Sequence, residues 1–127
     1  MVSIRQMKYK QNRETKVLAE GTYKGFKYFI LSLGTHPTAY VVTKYIEFNE
    51  EEQVFFPVHG GITYQRRYLK IPNKTLVQRS NVIGWDYAHY GDQYGTIESE
   101  FDEKHKTSEI LTDIMNAIDY IKNKING

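Results

Sequence analysis

The sequence predicts an α+β fold: a twisted, mainly antiparallel sheet of five or so strands with one C-terminal amphipathic helix packed across it. Three observations lead there. Short β-rich runs bounded by Gly, Pro and Asn occupy the chain as far as residue 88. Beyond residue 107 the apolar spacing changes to three and four, which is a helical period. The 11 Tyr and 6 Phe suit strands and an aromatic core.

Each element follows in order. Residues 1–15 are polar and basic and read as a short strand or ordered arm. Val17 to Glu20 and Phe26 to Leu33 read as a hairpin around the turn-like Gly21-Thr22-Tyr23-Lys24-Gly25. Ala39 to Phe48 is a third strand, with Val41, Thr43 and Tyr45 on one face and Val42 and Ile46 on the other. Val54 to Val58 reads as a short apolar strand in which Pro57 signals an edge or a bulge. Residues 65–80 form a long basic connection containing Pro72-Asn73, and Val82 to Ala88 returns as a central strand. Ile110, Ile114, Met115, Ile118, Ile121 and Ile125 make one apolar stripe, with Glu109, Asp113, Asn116, Asp119 and Lys122 opposite. Thr107 or Ser108 caps this helix, which ends near Gly127.

No repeat or linker divides the 127 residues, so residues 1–127 are expected to form a single domain with a real core. The absence of Cys excludes disulfides, a thiolate zinc site and a Cys nucleophile, and fits a reducing cytosol. No apolar run approaches the roughly 20 residues that span a bilayer, and the N-terminus carries no signal-peptide apolar region. A cytoplasmic protein with no membrane partner is therefore expected.

The net charge of +2 says little, but its distribution says more. Arg66, Arg67, Lys70, Lys74 and Arg79 fall in a stretch without acids, whereas 47–52 and 92–103 are acidic. Such segments are either solvated loops of complementary sign or a basic flap that meets an anionic ligand. A near-neutral chain with acidic loops is a poor footprint for direct nucleic-acid binding, which is disfavoured.

Chemistry-bearing residues concentrate in Val58-His59-Gly60-Gly61-Ile62-Thr63-Tyr64 and Gly84-Trp85-Asp86-Tyr87-Ala88-His89-Tyr90-Gly91-Asp92. Alternation along the second stretch puts Ile83, Trp85 and Tyr87 on one face, bulky enough to pack under the helix. Val82, Gly84, Asp86 and Ala88 take the other, where two small residues leave space around the Asp86 carboxylate. A carboxylate in such a cleft accepts hydrogen bonds from protein or ligand, because leaving it unpaired is costly. If the two stretches are neighbours, His59, Asp86, His89 and Asp92 converge. The competing explanation is structural: an Asp–His pair that fixes a turn, and Gly-Gly as a tight turn. Trp85 and Tyr87 read as core, His36 as a turn residue and His105 as solvent-facing. A two-His, two-carboxylate set would suit a hard or borderline divalent ion, but Asp86 and His89 on a strand and turn need not face the same way. Phosphate-loop, dinucleotide, zinc-helix and nucleophile-elbow motifs are absent, and neither a cofactor nor a bound metal is expected.

These two stretches resemble a family of small phage and prophage proteins that carry Val-His-Gly-Gly-x-Thr-Tyr and then Gly-Phe-Asp-x-Ala-His-x-Gly-Asp. Leu33-Gly34-Thr35-His36 with Ala39-Tyr40-Val41 is similar to an upstream part of the pattern, so the resemblance spans residues from about 30 to 92. The chain departs from it at Trp85, where Phe is usual, at Tyr87, where Cys is frequent, and in a shortened acidic segment at 47–53. The resemblance implies a viral origin.

Three functions fit. The first is a phage counter-defence protein that sequesters a small anionic nucleotide-type ligand without turnover in the host cytoplasm. There His59, Gly60, Gly61, Tyr64, Arg66, Arg67, Asp86, His89, Tyr90 and Asp92 would make the binding site, with no catalytic residue. The Gly amides and the His and Asp side chains would bond polar atoms, the Arg pair phosphate, and Tyr64 or Tyr90 a base. Tight capture by so small a domain suggests a homo-oligomer. The second is a nucleotide or phosphoester hydrolase with His59 or His89 as acid or base, oriented by Asp86. The third is an inhibitor of a host defence enzyme, acting through a strand edge or a charged surface.

Overall fold

The computed structural model describes residues 15–32, 36–58, 60–71, 77–87 and 100–126, the side chains at 77–79, 100–106 and 126 excepted. Five strands, β1 (Lys16–Tyr23), β2 (Phe26–Ser32), β3 (Pro37–Lys44), β4 (Tyr64–Leu69) and β5 (Val77–Asp86), form one sheet in the order β1-β2-β3-β5-β4. Every neighbouring pair is antiparallel. A short helix α1 (Glu50–Phe55) joins β3 to β4, and the long helix α2 (Glu100–Asn126) packs on one face. The α+β architecture read from the sequence is the observed one. No helix among the described residues is long and apolar enough to cross a membrane.

The β1–β2 hairpin turns on two residues only, Lys24 and Gly25, whose φ values of 49° and 86° supply the left-handed geometry of a tight hairpin turn. Gly21 to Tyr23, read as turn, are therefore strand. Gly21 pairs with Tyr28, whose hydroxyl would lie 2.6 Å from a Cβ at residue 21. β3 stops at Lys44 rather than at Phe48. The Ile46 amide donates to the Thr43 carbonyl at 3.0 Å, and the Thr43 hydroxyl and Asn81 amide both donate to the Ile46 carbonyl. The chain thus turns out of the sheet, leaving Tyr45 85% exposed.

The segment read as a strand at Val54–Val58 is instead the last two residues of α1, Val54 and Phe55, followed by a bend at 56–58. Asn49 accepts from the Glu52 amide at 2.8 Å, and the Glu52 carboxylate accepts from the Asn49 amide at 2.9 Å. This reciprocal cap, with three Glu in the first turn, starts a helix that the Val-Phe-Phe run alone would not reveal. Pro57 follows the helix end, where it stops further helix growth.

Residues 65–80, read as a connection, hold a β-hairpin arm instead. β4 pairs with β5 from Tyr64↔Gly84 to Leu69↔Val77, with a register shift between Arg66 and Tyr68. Tyr64 and Leu69 pack into the same cluster although five positions apart, so strict alternation is broken along β4. β5 lies inside the sheet as expected but begins at Val77 rather than Val82.

α2 starts before the Thr107 or Ser108 cap read from the sequence. Residues 100–106 carry a single apolar residue, Phe101, so no apolar period marks that turn. Ile110, Ile114, Ala117, Ile118 and Ile121 are buried against Phe26, Ile30, Val41, Ile83, Trp85 and Tyr87. Met115 and Ile125 are exposed at 39% and 49%, so the stripe is narrower than read. Nor do all the acids lie opposite it. Asp113 accepts from the Tyr87 hydroxyl at 2.7 Å, and Asp119 from Lys24 at 2.7 Å and Tyr23 at 3.5 Å. These contacts steer α2 from the Asp86 end of β5 to the β1–β2 turn. Near its C-terminus Tyr120 packs edge-on against Phe56, and Lys124 pairs with Glu52, fastening α1 to α2.

The other sheet face is also apolar and buried, through Phe29, Leu31, Tyr40, Val42, Leu69, Ile71 and Val82. The candidate site belongs to this second face.

Candidate ligand-binding site

Register builds the site. On three adjacent strands, Thr38 faces Asp86, Tyr40 faces Gly84 and Gly84 faces Tyr64, while Val42 faces Val82 and Val82 faces Arg66. Because side chains alternate, Thr38, Tyr40, Tyr64, Arg66 and Asp86 all rise from the face away from α2. Arg66 and Asp86 bracket this row with opposite charges, and two phenols lie between them.

The room above Gly84 is not empty. A Cβ there would lie 2.6 and 2.8 Å from ring carbons of Tyr40 and 2.9 Å from the Ala39 carbonyl oxygen. Tyr40 therefore occupies the space that Gly84 was expected to leave beside Asp86. Its ring meets Tyr64 edge to face, with centroids 5.2 Å apart at 84°. The Arg66 guanidinium lies 5.7 Å from the Tyr64 centroid, a cation–π contact, and donates to the Gln65 carbonyl at 2.9 Å. The Tyr64 hydroxyl donates to the Tyr68 carbonyl at 2.6 Å, fixing the ring across the register shift.

Burial pushes the Tyr40 phenol above its ordinary value; a hydrogen bond with the Thr38 side chain opposes this, and the Asp86 charge adds to it. Tyr64 is raised as well, first by burial and then by Tyr68 and Tyr40, with Arg66 acting in the opposite sense. Asp86 is half-buried.

Gly60 and Gly61 form the tight turn that the competing structural explanation describes. Both have positive φ, 75° and 73°, and a Cβ on Gly61 would sit 2.6 and 2.8 Å from the carbonyl oxygens of Gln53 and Val54. The Gly61 amide donates to the Val58 carbonyl at 3.0 Å, and the Ile62 amide to Gln53 at 2.8 Å. The glycine pair closes the end of α1 and lets the chain pass tightly against it. One residue later the Thr63 amide donates to the Gly84 carbonyl at 2.9 Å, which delivers Tyr64 to the row.

Of the residues singled out in the sequence, Tyr64, Arg66 and Asp86 share the row. Gly60 and Gly61 lie in the turn that leads to it. Arg67 is exposed at the register shift, beyond the row. His59, His89, Tyr90 and Asp92 lie outside the described residues. Tyr40 and Thr38 went unnoticed; the available signal was Gly84, because a Gly inside a strand marks a large cross-strand neighbour.

Trp85 and Tyr87 belong to the opposite face and to the core, as their period indicated. The Trp85 indole N–H donates to the Tyr87 hydroxyl at 3.0 Å, which donates on to Asp113. Among the described residues no cluster of three or more His, Asp or Glu is placed to hold a metal ion. Comparison of the chain with known protein families, with curated proteins and with solved structures finds no match.

Proposed function

We propose that this chain is a phage-type accessory protein that captures a nucleotide-derived ligand and holds it unchanged in the host cytoplasm. The observation that carries this reading is the row of Tyr40, Tyr64, Arg66 and Asp86 on one face of three adjacent strands. Three of its members suit parts of a nucleotide: Tyr64 offers a ring to a base, Arg66 a guanidinium to phosphate, and Asp86 an acceptor to a ribose hydroxyl or base N–H. Binding is the reading the row supports, because its ring, guanidinium and carboxylate are groups that hold a nucleotide through contact and hydrogen bonds. The resemblance at 58–64 and 83–92 supports the viral origin.

Thermal unfolding measured with cyclic nucleotides and ADP-ribose derivatives tests the reading. A ligand present at about 100 times its Kd adds about 2.7 kcal/mol to stability. Recovery of the intact compound from the denatured complex is the expected result. An altered compound would make the protein a hydrolase, and no stabilisation by any nucleotide would end the capture reading.

A further inference from the structure

We infer that the chain self-associates through α1 and β4, the acidic helix of one copy lying against the basic strand of the other.

α1 is unusually well secured for six residues. Its N-terminus is capped, the Gln53 side chain donates to the Phe48 carbonyl at 2.8 Å, Glu52 pairs with Lys124, and Phe56 packs on Phe48 and Tyr120. All of these ties hold the side of the helix that faces the protein. The other side presents Val54 and Phe55 at 68% and 76% exposure, beside exposed Glu47, Glu50 and Glu51. A fixed helix that displays a Phe–Val pair the core does not use is preordered for docking, since little conformational freedom remains to be lost.

The chain itself carries the complementary surface. Among the described residues β4 is the last strand of the sheet, and Arg67 and Lys70 are exposed around Tyr68, itself 49% exposed. Two β4 edges would bring Arg against Arg, and two copies of α1 would bring Glu against Glu, so neither element fits its own image. Each fits the other. They are also neighbours: Ile62 bonds Gln53, and the Gln65 side chain bonds Phe48 through both its amide and its carbonyl. A two-fold axis beside them would form both contacts at once and close the assembly as a dimer. The inference rests on Glu50, Glu51, Phe55, Arg67 and Lys70 and stands independently of the ligand reading.

Sedimentation velocity over about a hundredfold range of concentration reads the equilibrium. The parent chain is expected to pass from monomer to dimer. Phe55→Ser, the pair Glu50→Lys with Glu51→Lys, and the pair Arg67→Glu with Lys70→Glu should each weaken the dimer about tenfold or more. Mixing the two charge-reversed proteins should restore a dimer, because each reversed surface then meets its opposite. Circular dichroism of every variant confirms an unchanged fold, as expected for exposed positions. A parent chain that stays monomeric throughout, a dimer indifferent to these substitutions, or a mixture that fails to re-form would each overturn the inference.

Discussion

Tyr40 lies across Gly84 on the neighbouring strand, so closely that any side chain at 84 would enter its ring. The contact decides two things together. It keeps the Tyr40 phenol beside Asp86 and Thr38, and it lets Tyr64 approach edge-on from the far side of β5. A glycine inside a strand ordinarily weakens it. Here the ring of the opposing residue covers the bare backbone, as Tyr28 does for Gly21.

Gly84→Ala should therefore destabilise the protein by about 1–3 kcal/mol through overpacking, although alanine suits strands no worse than glycine. Denaturant unfolding measures the loss. In a Tyr40→Ala background the same substitution should cost less, because the ring that it strikes is gone. An equal cost in both backgrounds would place the strain at the Ala39 carbonyl instead.

The fold class was legible because the apolar period changes once along the chain, and α2 buries the Ile residues that mark the change. The elements that depart from the sequence pattern do so for local reasons. Val54-Phe55-Phe56 looks like a strand, and only the Asn49–Glu52 spacing reveals the helix. β4 keeps no strict alternation between Tyr64 and Leu69, and its adjacent Arg66 and Arg67 carry the composition of a loop. Within the site, Asp86 and Tyr64 stood out by their neighbours in sequence. Tyr40 did not, because its importance arises from the register between β3 and β5, which no local pattern fixes.

Asp86→Asn tests the site directly. The amide retains the shape and one acceptor, so stability should stay within about 1 kcal/mol of the parent. Loss of the charge should remove about 1.5–3 kcal/mol from binding of a nucleotide that donates to it. Calorimetric titration alongside thermal unfolding separates the two effects. An unfolded or insoluble variant would show that the carboxylate serves the fold.

On the opposite face, Tyr87 stands between Trp85 and Asp113 as acceptor from one and donor to the other. Tyr87→Phe leaves the ring in place but strips a partner from the buried indole N–H and from the carboxylate. The expected cost is about 1–3 kcal/mol, the penalty for an unsatisfied buried polar group. Asp113→Asn should cost less, because the side-chain amide oxygen still accepts from Tyr87. Denaturant midpoints of the two variants, with an unchanged slope, check the order.

The Lys24–Asp119 pair gives stability a pH dependence that can be assigned by sign. Its hydrogen bond to Lys24 holds Asp119 below its ordinary value of 3.8, and the same bond raises Lys24 above 10.5. Lowered in the fold, Asp119 contributes fully above its unfolded value, and that contribution fades as acid takes the pH through the folded one. Raised in the fold, Lys24 contributes fully below its unfolded value and fades as alkali passes the folded one. Between those limits the contribution is constant. The difference in unfolding midpoint between the parent and Asp119→Asn should thus be flat across neutral pH and shrink at both extremes. Both groups are solvent-exposed, so the flat part should also shrink with added salt. A difference that peaks near neutrality would point instead to a histidine coupled to the pair, and a difference indifferent to salt to the contact of the Lys24 ammonium with the Tyr23 ring.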